Sequence, residues 1–588
     1  MARKALLSVK LTALLLMLSA CGGSGGGNSG ATTATTTPPT PQDALATATP
    51  IKHLVVIYGE NESFDHYFGT YPSAMNPTGE PAFTAAAGTP TVNGLTPALL
   101  TANPNLTNAA NIAAAAKGGF STAFFNPFRI DRAQANTSSQ NHNYTPEQLA
   151  EDNGKMDAFP ANTGSATSGG ANAFGTVAMV MGYFDGNTVT GMWNYAQNFA
   201  LNDNSYTNTF GPSTPGALEA VSGTTNGAVP VIGSSASVPD GAGGYTLIGD
   251  TDPAGDVCSS KTATVKMTSK NIGDLLNAAG ITWGSFMGGF NLTTINANGT
   301  GTTPCSRSTF SSVLNATVVD YVPHHAWFQY YATTTNAAHT RPTSTALIGY
   351  TDPLDSTATP VHHAYDYNDF VTAVKAGNFP SVSYIKAPAV GDAHPGNSDP
   401  LDEQAFDTNL INFIQEQPDW QSTAIIIAYD DSDGWYDHQY GTVTSSSFDS
   451  VTTESIKTPA GTIIGADQLN GNGVCNSSTA TQGLSLSGTP INGRCGPGTR
   501  TPFIVISPYA KVNYVDHTFI TQASIVRFIE DNWLSGARIG QGSADAAAGA
   551  INAMFDFVTS GFAGTQTPRT LYLDPTQGTK LTAAPTTT

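Results

Sequence analysis

Two oxygen-rich clusters in the sequence each follow directly on an apolar run, and both carry side chains that bind hard metal ions. Residues 60–69 (ENESFDHYFG) follow the run at 53–58, and residues 430–438 (DDSDGWYDH) follow the run at 423–428. Carboxylates gathered in one cleft repel one another unless a cation lies among them. All-oxygen ligation suits Ca²⁺ or Mg²⁺. One cluster alone could equally be a helix cap or a turn, but two after two apolar runs favour a shared metal site.

The histidines supply a second kind of chemistry. A protonated imidazole can donate hydrogen bonds to phosphate oxygens or protonate a leaving group. A single histidine is more often a structural residue, and the spacing does not show that the histidines converge. Those in polar surroundings are His142, His324, His325, His339, His362, His363, His394 and His438.

Apolar patterns predict the elements that would position these residues. Runs typical of buried strands occur at residues 53–58, 381–385, 423–428 and 502–506. Alternating strands and helices predict an α/β fold with a central, mostly parallel sheet and helices on both faces. In such sheets, ligands bind beyond the carboxyl ends of the strands, where both clusters lie. Helical spacing occurs at Phe406, Leu410, Ile411 and Ile414, and again at Ile525, Phe528, Ile529 and Trp533.

Composition divides the chain into four parts. Residues 1–21 predict a lipoprotein signal peptide, and residues 22–50 are Gly/Ser-rich and then Thr/Pro-rich, as flexible tethers are. Residues 51–563 form the predicted catalytic domain. Within it, the Gly/Thr/Asn-rich segments around 85–120, 222–310 and 440–500 predict long loops or β insertions. Residues 564–588 form a low-complexity tail.

The first 21 residues have the features of an export signal. Arg3 and Lys4 precede an apolar run at 11–18 that is too short to span a bilayer. The sequence Leu-Ser-Ala-Cys that ends at Cys21 resembles a lipobox, in which the cysteine receives a lipid. The alternative is an ordinary cleaved signal with an incidental cysteine. We expect an exported protein, anchored to a bacterial membrane through Cys21, with its catalytic domain outside the cytoplasm.

The net charge excludes one class of partner. The 588-residue chain has a formal net charge of −20, with only 11% charged residues. Such a surface repels nucleic acid and anionic lipid over long range. We therefore expect no nucleic-acid partner, and we expect a phosphate-bearing substrate to be captured locally, by a cation or by aimed donors.

Four cysteines remain after Cys21, and an even number in an exported chain predicts two disulfides with three alternative connectivities. We expect Cys258–Cys305 and Cys475–Cys495, because each pair brackets a Gly/Thr/Asn-rich stretch. The alternative is four free thiols. Their spacing does not match a zinc site.

Residues 51–72 (IKHLVVIYGENESFDHYFGTYP) resemble the opening signature of the bacterial phosphoesterase family, which contains acid phosphatases and phospholipases C. The resemblance extends to about residue 535. It continues through residues 153–157, 199–204, 211–213, the pair His324-His325, His394-Pro395, residues 429–434, 436–438, 507–509 and 516–517.

The resemblance implies an alkaline-phosphatase-like fold and assigns roles to individual residues. Ser213 matches the nucleophile, whose oxygen also reaches the metal. Without the resemblance, Ser213 would be read as a capping residue, because serine in a Gly-Pro-Ser-Thr-Pro turn usually has that role. Ser63 would then be an equally plausible nucleophile. One divalent metal ion is implied. Its matching ligands are Glu60, Asn61, Asp430 and Asp431, and the matching histidines of the phosphate pocket are His142, His324, His325 and His394.

These roles imply metal-dependent hydrolysis of phosphate esters through a phosphoserine. The Asp-Asp-Ser-Asp-Gly form at 430–434 resembles the acid phosphatases, and no extra C-terminal β domain follows, so we expect a phosphomonoesterase. The sequence departs from relatives at Glu62, where Arg is common, and lacks the Asn-Arg that commonly follows the nucleophile in the phospholipase branch.

Two alternatives remain open. A phospholipase C would cleave phosphatidylcholine-type diesters, so its partners would be phospholipid head groups rather than small phosphate esters. Such an enzyme needs aromatic side chains around the quaternary ammonium. The other alternative is a non-catalytic surface lipoprotein. Aromatic residues that could contact choline are Trp327, Tyr330, Trp435 and Tyr436.

Overall fold

The computed structural model describes residues 41–119, 121–164, 177–233, 236–294, 304–447, 455–457, 463–465, 475, 480–558 and 568–585. Cys21 and the predicted signal peptide lie outside these residues. Among the described helices, none has the length and apolar character needed to cross a membrane.

A sheet of eight strands forms the centre of the molecule. Its strand order is β4-β3-β5-β1-β6-β7-β2-β8, and β7 is the single strand that runs antiparallel to its neighbours. The mostly parallel sheet predicted from the sequence is therefore confirmed. In chain order the strands are β1 His53–Gly59, β2 Ala200–Asn202, β3 Trp283–Met287, β4 Ala364–Asp366, β5 Val382–Lys386, β6 Thr423–Tyr429, β7 Phe503–Ile506 and β8 Tyr514–Asp516.

Eleven α-helices are present among the described residues, and the two predicted from helical spacing, α10 and α11, are confirmed. The others include several short helices in the connections between strands. They are α1 Phe64–Phe68, α2 Pro97–Thr101, α3 Ala109–Gly118, α4 Tyr144–Glu151, α5 Phe159–Asn162, α6 Thr190–Asn198, α7 Ser213–Ser222, α8 Ile272–Ala279, α9 Tyr367–Lys375, α10 Pro400–Gln415 and α11 Ala523–Trp533.

Helices cover both faces of the sheet, as predicted. Successive side chains along a strand point to opposite faces. Tyr58 of β1 donates a hydrogen bond to the carbonyl of Gly216 in α7, over 3.1 Å. Gly59, the next residue, pairs with Tyr429 of β6, and the Tyr429 hydroxyl donates to Glu403 of α10. Helices α7 and α10 therefore pack on opposite faces of the sheet.

Strands β1 and β6 form the middle of the sheet because they are apolar on both faces. Every residue of both strands is buried, which is typical of parallel strands covered by helices on each side. They pair in parallel over their full length, from His53 with Thr423 to Gly59 with Tyr429. The residues that follow the two strands therefore leave the sheet side by side.

The connections carry small two-stranded ribbons, in agreement with the predicted β insertions. Segment 85–120 differs from a simple loop, because helices α2 and α3 lie within it. The ribbons pair Phe128–Arg129 with Gly182–Tyr183, Ser205–Tyr206 with Ile520–Thr521, Ala228–Ile232 with Thr264–Met267, Ser237–Pro239 with Tyr245–Leu247, Ser308–Ser311 with Ala316–Val319, and Ser455–Lys457 with Ile463–Gly465.

Both disulfide predictions are confirmed: Cys258 is bonded to Cys305, and Cys475 to Cys495.

Residues that precede β1 and residues that follow α11 in the sequence also bond to helices of the domain. Thr49 donates its backbone N–H to Asn532 over 2.9 Å. In the C-terminal stretch, the amide of Asn412 in α10 donates to the carbonyl of Leu573 over 2.8 Å.

Candidate active site

The predicted acidic clusters meet at the carboxyl ends of β1 and β6. Asn61 donates its backbone N–H to Asp430 Oδ1 over 3.1 Å, and Asp431 donates its own to the same oxygen over 2.9 Å. Glu62 donates its backbone N–H to the carbonyl of Asp431 over 2.9 Å. The register of the two strands thus brings Glu60, Asn61, Asp430 and Asp431 into one buried group.

Ser213 reaches this group from the start of α7. Its Oγ lies 3.0 Å from Glu60 Oε2, 3.1 Å from Asp431 Oδ2 and 3.3 Å from Asn61 Oδ1. The first residue of a helix lies at the positive end of the helix dipole, which favours negative charge on an oxygen placed there. The structure therefore brings together all five residues that the resemblance assigns to the metal and the nucleophile.

A glycine permits the close approach of α7 to the sheet. A Cβ atom at Gly216 would lie 1.9 Å from the carbonyl oxygen of Asp430, so no other residue fits at this point of the helix. On the opposite side of Ser213, the backbone N–H of Thr214 donates to Asp250 Oδ1 over 3.0 Å. The position of Ser213 thus depends on contacts with the strand end and with a distant insertion.

Buried negative charge dominates the electrostatics of the group. Burial raises the pKa of Asp430 well above its usual range, and the neighbouring Glu60 adds to the rise. Burial likewise raises the pKa of Asp431, although His142 opposes the effect. Burial also acts to raise the pKa of Glu60, but a hydrogen bond from His325 Nδ1 and the positive charge of Lys386 outweigh it and hold that pKa well below its usual range.

Lys386, the last residue of β5, is the positive side chain nearest this group among the described residues. Its buried Nζ contacts Glu60 Oε1 and lies 3.6 Å from Asp430 Oδ2. Asp430 Oδ2 is buried and accepts no hydrogen bond from the residues that the structure describes. Three carboxylates against one ammonium leave an excess of negative charge, which a divalent cation would balance. The residues present therefore fit a metal ion.

A second set of candidate ligands overlaps the first. Glu60, His325 and Asp392 each offer an atom, and these atoms all lie within 4.8 Å of one another. Asp392 follows β5, and Glu60 donates its backbone N–H to the carbonyl of Asp392 over 2.8 Å. Candidate ligands for a metal are therefore available on both sides of Glu60.

The four histidines assigned to the phosphate pocket lie around the same site. The ring centroids of His324 and His325 are 4.4 Å apart, and those of His325 and His394 are 6.3 Å apart. The ring of His142 lies 6.1 Å from that of His394. His325 Nδ1 lies 2.9 Å from Glu60 Oε1, which joins this arc of histidines to the acidic group.

The histidines differ in their protonation. Burial lowers the pKa of His325 to about 3, so its ring is neutral. Burial also acts to lower the pKa of His142, but Asp431 and Asp433 outweigh it and raise that pKa well above its usual range. For His324, whose side chain is 30% exposed, Asp250 outweighs burial in the same way and raises the pKa. His142 and His324 can therefore carry positive charge at the edge of the site.

Comparison with known families matches residues 51–534 to the model of the Phosphoesterase family. The chain belongs to this family. The match covers the sheet, both acidic clusters, Ser213 and all four histidines, so the resemblance inferred from the motifs is confirmed.

Curated relatives in the family are bacterial phospholipases C. A non-hemolytic phospholipase C of Pseudomonas aeruginosa is 28% identical over 27% of this chain and 21% of its own length. One from Burkholderia pseudomallei is 30% identical over 27% of this chain and 19% of its length. The hemolytic phospholipase C of Pseudomonas aeruginosa is 23% identical over 83% of this chain, and the match spans 54% of that protein.

A solved structure, the murine ectonucleotide pyrophosphatase/phosphodiesterase 5, covers 63% of this chain and 95% of its own, at 10% identity and a TM-score of 0.29. The alkaline-phosphatase-like fold implied by the resemblance stays a prediction. The observed fold is mixed α/β with a central, mostly parallel sheet.

Several residues of the site in this phosphoesterase were missed in the sequence. Lys386 lies one residue beyond the predicted strand at 381–385. The rule that ligands bind beyond the carboxyl ends of parallel strands, which located the acidic clusters, therefore also applies to Lys386. Asp392 and Asp433 lie within motifs that were recognised for neighbouring residues. Asp250 and Glu147 carry no local signal, because they reach the site from an insertion and from helix α4.

Three further sets of residues that the sequence singled out lie in buried surroundings. Ser63 caps α1, accepting a hydrogen bond from the backbone N–H of His66 and donating to the carbonyl of Tyr436, so its hydroxyl is used structurally. Glu62 is buried, and burial together with Glu403 raises its pKa well above the usual range. The four aromatic residues considered for choline are at most 4% exposed: Trp327, Tyr330, Trp435 and Tyr436.

Proposed function

We propose that this protein hydrolyses phosphate esters with the Ser213 hydroxyl as the nucleophile. The observation that carries the proposal is the contact of Ser213 Oγ with Glu60, Asn61 and Asp431, at 3.0–3.3 Å, from the first residue of a helix. A hydroxyl used only as a helix cap would bond to backbone N–H groups of its own helix. Ser213 instead points into a buried acidic group.

In this mechanism, Ser213 Oγ forms a bond to phosphorus as the bond to the alcohol oxygen breaks on the opposite side. The serine proton passes to a contacting carboxylate, such as Asp431. His324, at the edge of the site, protonates the departing alcohol, and His142 and His394 donate to the phosphoryl oxygens. Water then attacks phosphorus and gives one proton to His324. As the bond between phosphorus and Ser213 Oγ breaks, the carboxylate that took the serine proton returns it to Ser213 and phosphate is released.

A divalent cation would supply charge neutralisation and Lewis-acid chemistry at this site. The residues that would hold it are Glu60, Asn61, Asp430 and Asp431, together with Ser213. Because these ligands are all oxygens, Ca²⁺ or Mg²⁺ is favoured over zinc.

We propose small phosphomonoesters as the preferred substrates, which is the activity of an acid phosphatase. The burial of the aromatic residues considered for choline supports this preference, because a choline site needs exposed aromatic faces. The second candidate, phospholipase C activity on phosphatidylcholine-type diesters, is favoured by the names of the curated relatives. Comparing p-nitrophenyl phosphate with p-nitrophenylphosphorylcholine separates the two.

The test of the nucleophile is Ser213→Ala, with Ser63→Ala as the matched control. Both serines are buried and both flank the acidic group. We expect Ser213→Ala to lose turnover of either substrate by at least roughly 10³-fold, whereas Ser63→Ala loses about 1 kcal/mol of stability as a cap and keeps its activity. Wild-type turnover in Ser213→Ala would refute the proposal. Absence of turnover in the wild type, with metal added, would favour the non-catalytic alternative.

We also propose that the protein is exported and anchored to a bacterial membrane by a lipid on Cys21. The supporting observation is the lipobox-like sequence that ends at this residue. Labelling cells with radioactive palmitate should mark the wild-type protein and not the Cys21→Ser variant. Equal labelling of both would contradict the anchor.

A further inference from the structure

Glu147 is a buried carboxylate that no step of the proposed mechanism uses. It lies in helix α4, which begins two residues after His142, and its side chain is 3% exposed. Glu147 Oε2 accepts the backbone N–H of Gly211 over 2.9 Å. Glu147 Oε1 accepts the hydroxyl of Ser432 over 2.7 Å.

These two hydrogen bonds reach the nucleophile turn (residues 211–213) and the acidic loop (residues 430–434). Gly211 has a φ of +119°, and only Pro212 separates it from Ser213. Since proline has a restricted φ, fixing Gly211 also restricts where Ser213 can lie. A side chain at Gly211 would be strained by that φ and would lie 3.0 Å from the carbonyl of Ile248.

The acidic loop is held in the same way. Ser432 follows Asp431 directly, and its Oγ also accepts the backbone N–H of Gly434 over 3.0 Å. The Glu147 carboxylate therefore links Gly211, two residues before Ser213, to Ser432, the residue after Asp431. Ser213 and Asp431 contact each other at the centre of the site, where Ser213 Oγ lies 3.1 Å from Asp431 Oδ2.

We propose that Glu147 is a positioning residue that holds the nucleophile turn against the acidic loop. The inference rests on the proposed function, because it concerns the placement of the nucleophile. This role also explains why a carboxylate is buried here. Both oxygens of Glu147 accept hydrogen bonds from groups that would otherwise be buried without acceptors, which offsets the free energy needed to bury the carboxylate.

The same helix offers a matched control. Glu151 lies one turn further along α4 and is 1% exposed. Within the described part of the chain, neither of its carboxylate oxygens has a hydrogen-bond partner. Substitution of Glu151 therefore changes a buried carboxylate of α4 without affecting the link between Gly211 and Ser432.

The experiment compares Glu147→Asp, Glu147→Gln, Glu151→Asp and Glu151→Gln, measuring kcat and KM on whichever chromogenic substrate the wild type cleaves faster. Aspartate keeps the charge but is too short to reach both donors, whereas glutamine keeps the length and an acceptor for Gly211. We expect Glu147→Asp to lower kcat about 100-fold with KM changed less than about 3-fold. Glu147→Gln should lose at most about 10-fold in kcat, and both Glu151 variants less than about 2-fold.

Three results would overturn the inference: an unchanged kcat in Glu147→Asp, an equal loss in Glu151→Asp, or a larger loss in Glu147→Gln than in Glu147→Asp. If Glu147→Asp does not fold, Ser432→Ala breaks the same link and should lower kcat roughly 10-fold; an unchanged kcat there would also overturn it. Ser213→Ala separates the two proposals. Wild-type turnover in Ser213→Ala defeats the proposed function, whereas loss there with full activity in Glu147→Asp defeats this inference alone.

Discussion

The side-chain nitrogen of Asn61 donates a hydrogen bond to Asp433 Oδ1 over 3.1 Å. This bond orients the Asn61 amide, so that its oxygen faces Ser213 Oγ at 3.3 Å. Asp433 also accepts the backbone N–H of Gln140 over 2.7 Å, and its Oδ1 lies 2.9 Å from His142 Nδ1. One aspartate thereby orients a candidate metal ligand and a candidate phosphate-binding histidine.

Asp433→Asn should therefore impair both stability and activity. The amide nitrogen of the new asparagine would face at least one of the groups that now donate to Asp433, such as the side chain of Asn61 or the backbone N–H of Gln140. Two donors that face each other leave a hydrogen bond unmade, which costs about 1–3 kcal/mol in the free energy of unfolding. Misorientation of Asn61 and His142 should lower kcat about 10- to 100-fold. Urea denaturation and steady-state kinetics measure the two effects.

Asp240→Asn is the control for this change. Asp240 is also buried and accepts three hydrogen bonds, from the backbone of Ala242 and Gly244 and from the side chain of Asn226. We expect a similar loss of stability without a change in kcat. A similar drop in kcat for both variants would show that Asp433 acts only through general stability.

Gly216→Ala tests the close approach of α7 to the sheet. The added Cβ would lie 1.9 Å from the carbonyl oxygen of Asp430, which cannot move without breaking the strand end. The helix must shift, so we expect a loss of about 1–3 kcal/mol and a fall in kcat of roughly 100-fold. Thermal denaturation and kinetics measure these effects.

Gly191→Ala, in helix α6, is the matched helical control. Its Cβ would lie 3.1 Å from a side-chain carbon of Gln404, a much longer approach than the 1.9 Å to a backbone oxygen at Gly216, so a shift of a few tenths of an ångström accommodates it. Activity close to that of the wild type is expected for Gly191→Ala. If Gly216→Ala were as active, the placement of Ser213 would not depend on this contact.

Lys386→Met tests the charge balance of the acidic group. Removing one partner of a buried ion pair costs about 3–5 kcal/mol, because the remaining charge is left uncompensated. In the presence of EDTA we therefore expect a lower melting temperature than for the wild type. Added Ca²⁺ or Mg²⁺ should raise the melting temperature of the variant more than that of the wild type, because a ligand that binds the folded state stabilises it.

The exposed Lys266 provides the control for Lys386, since Lys266→Met should change stability by less than about 0.5 kcal/mol. Equal responses of the wild type and Lys386→Met to divalent ions would contradict the metal assignment around Lys386.

Much of the sheet could be predicted because its central strands are apolar on both faces. The runs at 53–58 and 423–428 are long enough and buried enough to be recognised without any partner. The position of the acidic clusters then follows from the rule that ligands bind at the carboxyl ends of parallel strands. The two acidic clusters that contain the candidate metal ligands were accessible to sequence reasoning for this reason.

Ser213 and its supports were not accessible in the same way. The local sequence at 211–215 predicts only a turn, and the approach of Ser213 to Asp431 depends on helix α7 packing at Gly216. The supporting carboxylates Asp250 and Glu147 lie 37 and 66 residues from Ser213 in the sequence. No periodicity connects such distant residues, so only the family resemblance could select Ser213 as the candidate nucleophile.

The C-terminal stretch shows a similar limit. Residues 568–585 have a low-complexity composition, yet the side chains of Asn412 and Gln415 bond to the backbone of Leu573 and Leu571. Contacts of this kind use the backbone of the stretch, and composition therefore gives no sign of them.

A buried ion network beside the site predicts how stability depends on pH. His438 Nδ1 lies 2.6 Å from Asp65 Oδ2, and Arg500 binds the other oxygen of Asp65 over 3.1 Å. Burial acts to lower the pKa of His438, but Asp65 outweighs it and raises that pKa. Burial acts to raise the pKa of Asp65, but His438 outweighs it and lowers that pKa.

The two shifts act at opposite ends of the pH range. A raised pKa in the folded state means that the stabilisation from His438 is fully present below the unfolded value of about 6.5 and is lost as pH rises through the folded pKa. The stabilisation from Asp65 is present above about 3.9 and is lost as pH falls through its lowered folded pKa. The network should thus stabilise most between about pH 4 and 6.5.

His438→Asn should remove the loss of stability on the alkaline side of this window. We expect the free energy of unfolding of the wild type, measured in urea at pH 6 and again above pH 7, to fall by more than that of the variant. His517→Asn is the control, because His517 also pairs with an aspartate, Asp203, but its side chain is 69% exposed. Because solvent screens the exposed imidazole of His517, its interaction with Asp203 is worth little, and this variant should keep the pH dependence of the wild type. An equal slope in the wild type and His438→Asn would show that the buried pair does not set the pH dependence.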